Sequence, residues 1–250
     1  MLLHGQPGDA AHWHGVVDAL VEKCRVVVPD RPGYGESDGP ARGIADNALV
    51  AIDVLDEYEI PSATFVGHSW ASAVALAAAA SRPERVKALV LVCPVMPGTR
   101  PGAMDHALGL PIAGPLMVLG AFRLAGLALS TRRVQRLARR LMPGIDPDQL
   151  PSTARSWLTG PVWRSFVDEQ RALLAELPTL GRLLGEIDLP TTIVFGEADR
   201  ITSAEQSRRL ARQLAAARLV GVPRGGHLLP LQSPLIVSRV IIEAMTLGGT

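Results

Sequence analysis

An excess of charge of either sign is missing from this chain: 25 Lys and Arg stand against 24 Asp and Glu, a formal net charge of +1. Neither nucleic acid nor a membrane surface therefore has a general electrostatic claim on it as a partner, since both need a concentrated positive field. A small-molecule substrate, neutral or amphipathic, fits better. Cysteine is almost absent. Cys24 and Cys93 each sit in an apolar, β-like run, KCRVVV and LVLVCP, which points to two separate buried thiols rather than a disulfide framework and makes a reducing cytoplasm the expected location. The first residues, MLLHGQPG, carry no cationic stretch and too short an apolar run for a secretory signal. An uninterrupted spanning helix is also lacking. Ala107 to Ser130 holds one charge, Arg123, but that charge lies well inside the run, beside Pro111, Pro115 and four glycines, which argues against an integral membrane segment. Apolar helices of a soluble lid are the expectation for this run, with a membrane-contacting surface as the rival.

What is present is enough apolar material for one sizeable domain: 48% of 250 residues are hydrophobic and 20% charged. Short β-branched runs recur at Arg25 to Pro29, Ala63 to Val66, Lys87 to Cys93, Thr191 to Phe195 and Ala217 to Val220, with helical stretches between them. Continuous apolar runs suit strands covered on both faces, as in a parallel sheet with crossover helices. The expected class is α/β, a mostly parallel, doubly wound sheet flanked by helices. Between Pro94 and Leu189 the alternation stops, and helices broken by Pro and Gly take over. The expected organisation is a core of residues 1–94 and 189–250 with a helical lid, 95–188, inserted after the strand that ends near Cys93.

Sheets of this kind bind ligands at the carboxyl ends of their strands, and the chain's punctuation falls there. HGQPG, DRPGYGES, GHSWA, GEAD and GGH follow five of the apolar runs in turn. A serine hydroxyl is a weak nucleophile near neutral pH and needs a base, which in turn needs an orienting group. One serine, one acid and one histidine are available at strand ends in the order Ser69, Asp199, His227. Ser69 is flanked two residues away on each side by Gly67 and Ala71, as a sharp strand-to-helix turn demands. A helix starting at Trp70 would aim its free amides at the same point.

These five motifs, in this order, resemble those of the α/β-hydrolases over essentially the whole chain. The resemblance implies that Ser69 attacks a carbonyl, His227 shuttles the proton, Asp199 holds the imidazole, and the backbone amides of Gln6 and Trp70 form the oxyanion hole. Glu197 is the rival acid. His68, next to the serine, is expected to point away and to give structural support. No cofactor or metal is expected: His12 and His14 are two apart on a presumed helix start and do not share a face, and Cys93 has no base partner.

Serine at the elbow disfavours dehalogenation and epoxide opening, because the resulting ether would be stable to water. Acyl transfer to water remains, with esters, lactones and thioesters foremost. A proline iminopeptidase-like amidase, using the lid acids Asp168, Glu169 or Glu176, is an alternative. A cofactor-free perhydrolase or lyase and a non-catalytic binding protein are others. Leu116, Met117 and Phe122 of the apolar lid are expected to contact substrate, with the lid's own core as the equal alternative, and the basic stretch Arg132 to Arg140 to form a solvated face, with an anionic ligand or lipid headgroup as the competing reading. Two leading strands of the resembled fold have no counterpart before HGQPG. Arg25 to Pro29 is therefore expected as an apolar edge strand, which favours a shortened start site or a homodimer that covers the edge.

Overall fold

A computed structural model describes residues 1–95, 97, 102–146, 148–215 and 217–248. Five strands form one sheet in the order β1-β2-β3-β4-β5, every pairing parallel: β1 (Leu2–Leu3), β2 (Ala63–His68), β3 (Val86–Val92), β4 (Thr191–Gly196) and β5 (Ala217–Val222). The helices are α1 (His14–Leu20), α2 (Ile44–Glu57), α3 (Ala71–Ser81), α4 (Ala103–Gly109), α5 (Ala113–Leu129), α6 (Arg132–Leu141), α7 (Gln149–Thr159), α8 (Val162–Leu183), α9 (Ala204–Ala211), α10 (Leu229–Gln232) and α11 (Pro234–Leu247).

The unbroken apolar strands have the expected consequence. Successive side chains of a strand point to opposite faces, and here both faces are covered. Leu3, Phe65, Leu89, Leu91 and Ile193 enter a core shared with α2 and α3. Their neighbours Leu2, Val66, Val90, Val92 and Val194 enter a second core shared with α1 and α11. Each such side chain contributes roughly 1.5–3 kcal/mol on burial, so the central strands are fixed from both sides.

Arg25 to Pro29 corrects the expected edge strand. The segment packs Val27 on one core and Val26 and Val28 on the other, yet it forms no strand. Its neighbour β1 supplies only two residues, and the link is a single bond from Leu2 N–H to the Val27 carbonyl at 2.8 Å. One hydrogen bond makes no ladder. Cys24 is likewise half-buried rather than buried. At the opposite edge β5 does form, with Leu219 exposed.

Among the described residues the α-helices α4 to α8 fill most of the interval between β3 and β4. They carry a small core of their own, in which Val118, Phe122 and Val167 pack with Trp157 and Phe166. The last helix of the set, α8, ties this insertion to the sheet domain. Its Leu177 and Leu180 join the first core, and its Glu176 carboxylate accepts the Ala45 amide at the start of α2 at 2.9 Å.

Candidate active site

Ser69 stands between the end of β2 and the start of α3 with a left-handed backbone, φ 53°. Non-glycine residues rarely occupy that region, and such strain persists only where the surroundings enforce it. The enforcement is visible at Gly67, where a Cβ would lie 2.4 Å from the Ala71 carbonyl oxygen and 2.8 Å from Ser72 Cα. Only glycine lets the strand and the helix close this tightly. The Ser69 amide is spent on the Val92 carbonyl at 2.9 Å, which anchors the turn to β3 and leaves the hydroxyl free.

His227, between β5 and α10, meets that hydroxyl: Nε2 lies 2.9 Å from Ser69 Oγ, and Nδ1 lies 2.9 Å from Asp199 Oδ2. Asp199 follows β4 and is fixed on both oxygens. Its Oδ1 accepts the amides of Ile201 and Thr202 at 2.8 and 3.0 Å, and its Oδ2 accepts the Thr202 hydroxyl at 2.8 Å. Burial would raise the Asp199 carboxyl, but the His227 hydrogen bond and charge, with the Ile201 amide and the Thr202 hydroxyl, hold it down at about 2.

A carboxyl held below its unfolded value of about 3.9 adds stability that is fully present above that value and is lost as the pH falls through about 2. Solvent reaches the His227 side of the pair, which trims the effect to about 1–2 kcal/mol. Chemical denaturation of the parent and of Asp199→Asn should therefore differ most above about pH 4 and converge as the pH falls toward about 2. A difference that stays constant across that range contradicts the assignment.

The loop His4 to Gly8 lies against this elbow, and a Cβ on Gly5 would approach Ser69 Cβ to 3.0 Å. Its path is set by Arg31. The Arg31 side chain donates to the His4 carbonyl from Nε at 2.8 Å and to the Gly5 carbonyl from Nη2 at 3.3 Å, while His4 Nδ1 donates to the same Gly5 carbonyl at 2.9 Å. A trans peptide points its C=O and N–H in opposite directions. With the Gly5 carbonyl held by Arg31 and His4, the Gln6 amide faces away from them. Among the described residues neither the Gln6 nor the Trp70 amide has a hydrogen-bond acceptor.

Arg31 is itself buried, between the Trp70 ring at 4.6 Å and the Tyr34 ring at 5.1 Å. Its charge is met by Glu169 of α8, also fully buried, which accepts from both terminal nitrogens of Arg31 and from the Tyr34 hydroxyl at 2.7 Å. Burial raises the Glu169 carboxyl, against the pull of Arg31 and Tyr34. His68 points away from the serine as expected. It is buried against Trp13 and donates from Nε2 to the His227 carbonyl at 2.9 Å, and burial together with the His227 charge lowers its pKa to about 3, so it stays neutral while bracing the His227 loop.

Ser69, His227, Gln6 and Trp70 line one end of a cavity of about 1000 Å³. The rest of its wall is largely supplied by the insertion: Ala125 of α5, Val134 and Ala138 of α6, Leu150 and Trp157 of α7, and Leu177 of α8 among others. Among the described residues no Lys or Arg lines it, whereas Asp9, Asp105 and Asp146 do.

The alpha/beta hydrolase family model matches residues 1–240. The chain belongs to this family. Among its relatives, a 2-hydroxy-6-oxononadienedioate/2-hydroxy-6-oxononatrienedioate hydrolase of Burkholderia vietnamiensis is 28% identical, with 97% of this chain and 85% of that protein covered. A 2-hydroxymuconate semialdehyde hydrolase of a Pseudomonas species is 40% identical over 37% of this chain and 35% of its own length. Solved structures share the fold. An esterase of Thermogutta terrifontis superposes with a TM-score of 0.73 at 23% identity over 100% of this chain and 89% of that one, and a meta-cleavage product hydrolase of Pseudomonas fluorescens with 0.73 at 22% over 98% and 89%.

Within this α/β-hydrolase the three side chains Ser69, Asp199 and His227 meet as the motif order predicts, and Glu197 has no bond to the imidazole among the described residues. The expected substrate contacts do not meet them. Leu116 and Met117 are 64% and 45% exposed on the outer side of α5, and Phe122 is buried in the insertion's own core, so none of the three lines the cavity. The α5 residues that do are Ala125, Ala128 and Leu129. The insertion's acids Asp168, Glu169 and Glu176 also lie elsewhere. Glu169 is consumed by Arg31 and Tyr34, Glu176 by the α2 terminus, and Asp168 is exposed beside Arg171. None offers a carboxylate to a substrate amine. Thr202 was not picked out by motif. The signal for it is its place three residues after Asp199, where an aspartate can cap the turn that follows it.

Proposed function

We propose that this α/β-hydrolase is a serine esterase that cleaves uncharged, apolar acyl esters, lactones or thioesters through an acyl-enzyme on Ser69, beneath a lid formed by α4 to α8. The observation that carries this reading is the double contact of His227, 2.9 Å to Ser69 Oγ and 2.9 Å to Asp199 Oδ2. His227 Nε2 takes the Ser69 proton as Oγ attacks the carbonyl. Asp199 keeps Nδ1 as the donor and steadies the imidazolium. The amides of Trp70 and Gln6 receive the oxyanion, each contributing about 3 kcal/mol. His227 then gives its proton to the leaving alcohol, and water repeats the sequence to free the acid.

The charge of the cavity supports a neutral substrate. The relatives named for dienedioates act on molecules with two carboxylates, whereas the described wall here has three acidic side chains and no cation. A carboxylate buried there would lose its water without a Lys or Arg to meet it among the described residues. That substrate class is therefore not carried over to this chain.

Two measurements together test the proposal. A serine-directed fluorophosphonate should label the parent and not Ser69→Ala. In a panel of nitrophenyl esters, an alkanoyl chain should exceed the same chain ending in a carboxylate by about a hundredfold in kcat/KM, the penalty of one uncompensated buried charge. No labelling would leave a non-catalytic binding protein as the reading. A preference for the carboxylate-ended esters would overturn the substrate class.

A further inference from the structure

The balanced net charge conceals a local imbalance. Between Asp105 and Asp146 the chain contains Arg123, Arg132, Arg133, Arg136, Arg139 and Arg140 and not one carboxylate. The arginines of α6 and Arg123 of α5 are all exposed. Beside them lies an apolar surface that the fold leaves uncovered. On α5 the buried positions are Gly114, Val118, Phe122 and Gly126. Ile112, Leu116, Leu124 and Leu127 occupy the other side, and each of these four is more than half exposed; on the neighbouring α6 the arginines lie opposite the face that carries Val134, Leu137, Ala138 and Leu141. Contiguous exposed apolar residues rimmed by one sign of charge mark an interaction surface.

From this patch we infer that α5 and α6 dock the protein on an anionic lipid bilayer, lying in the plane of the interface. The exposed leucines of α5 insert among the acyl chains while the guanidinium groups of the neighbouring α6 reach the phosphates. The charge selects the occupant. A second copy seated on the same patch through a two-fold axis would bring both arginine clusters together, and like charges in a closing interface repel. An anionic bilayer supplies the countercharge. Crossing the membrane is a different geometry: no single described helix is long and apolar enough to span, α4 and α5 could do so only as a pair bent by 99°, and the inner side of α5 is occupied by Phe166 and Trp157. The same two helices supply Ala125, Val134 and Ala138 to the cavity wall, so the docked face is also the outer surface of the substrate site.

The docking stands on the patch and not on the chemistry of Ser69, and the test separates the two. The full chain is sedimented with vesicles of phosphatidylcholine alone and with vesicles that also contain phosphatidylglycerol. The parent and Ser69→Ala should both partition to the anionic vesicles, weakly to the neutral ones, and less as salt rises. Each arginine near an anionic surface contributes about fivefold, so Arg132→Glu/Arg133→Glu/Arg136→Glu should lower partitioning at least about a hundredfold. That variant should still hydrolyse a water-soluble short-chain ester at the parent rate. Leu116→Ser/Leu124→Ser/Leu127→Ser, with an unchanged melting temperature, should lose binding even at low salt. Equal partitioning to both vesicle types, or no loss in the arginine variant, overturns the inference. So does a parent dimer that the leucine variant dissociates while neither binds vesicles.

Discussion

Ser69→Ala is expected to lower kcat for ester hydrolysis by about 10⁴- to 10⁶-fold and to leave the melting temperature within roughly 2 °C of the parent. The two readouts part because the hydroxyl carries the chemistry while the backbone carries the turn. The Ser69 amide keeps its bond to Val92, and Gly67 still permits the close approach of α3. His227→Ala should cost a similar factor, and the double variant little more than either alone, since a nucleophile and its base fail as one unit. Asp199→Asn tests the orientation of the imidazole. An asparagine can present its NH₂ to Nδ1, which moves the ring proton to Nε2 and leaves no lone pair to receive the serine proton. The expected loss is about 10⁴-fold. What remains in each variant, about 10³-fold over water, is the share of the oxyanion donors and of binding. Full additivity of the Ser69 and His227 losses, or a Ser69→Ala variant within about tenfold of the parent, contradicts the role given to the 2.9 Å contact between them.

That contact was legible in the sequence because its determinants are local. A strand, a small residue, a serine and another small residue specify the elbow wherever they occur, and Gly67 shows why: the space its Cβ would need is filled by the backbone of Ala71 and Ser72. The two-sided sheet was legible for the same reason, since Leu89, Val90, Leu91 and Val92 read as buried on both faces without knowledge of what covers them. The substrate wall was not. α5 is apolar on every side but for Arg123, so periodicity does not separate its inward side from its outward one: Gly114, Val118, Phe122 and Gly126 are buried, Ala125, Ala128 and Leu129 line the cavity, and Leu116, Leu124 and Leu127 face outward. Arg25 to Pro29 has the composition of a strand, but a ladder needs a neighbour, and β1 provides two residues. Glu169 and Arg31 are 138 positions apart. Each reads alone as a surface charge, and only the tertiary fold removes both from water.

That pair carries the largest expected effect on stability. Glu169→Ala leaves the buried Arg31 guanidinium without its countercharge, and breaking a buried ion pair from one side costs about 3–5 kcal/mol. For a domain of this size that is a fall in melting temperature of roughly 10 °C. The Tyr34 hydroxyl loses its acceptor as well. Replacing both charges, as in Arg31→Met/Glu169→Leu, should return much of the stability, because two apolar side chains of similar volume carry no desolvation penalty. Activity should not return with it. Arg31 also holds the His4 and Gly5 carbonyls, and with the guanidinium gone the Gly5–Gln6 peptide keeps only the His4 ring as its anchor, so the Gln6 amide is less firmly aimed at the developing oxyanion. A stable double variant with kcat reduced by about tenfold or more and KM little changed is the expected result, the pattern left when a contact made only in the transition state is weakened. If the double variant regains full kcat, Arg31 is a packing residue and the aim of the Gln6 amide is set elsewhere. If Glu169→Ala melts within about 2 °C of the parent, the ion pair contributes little and α8 is held to the sheet domain by Leu177, Leu180 and its other hydrogen bonds, such as that of Glu176 with the Ala45 amide.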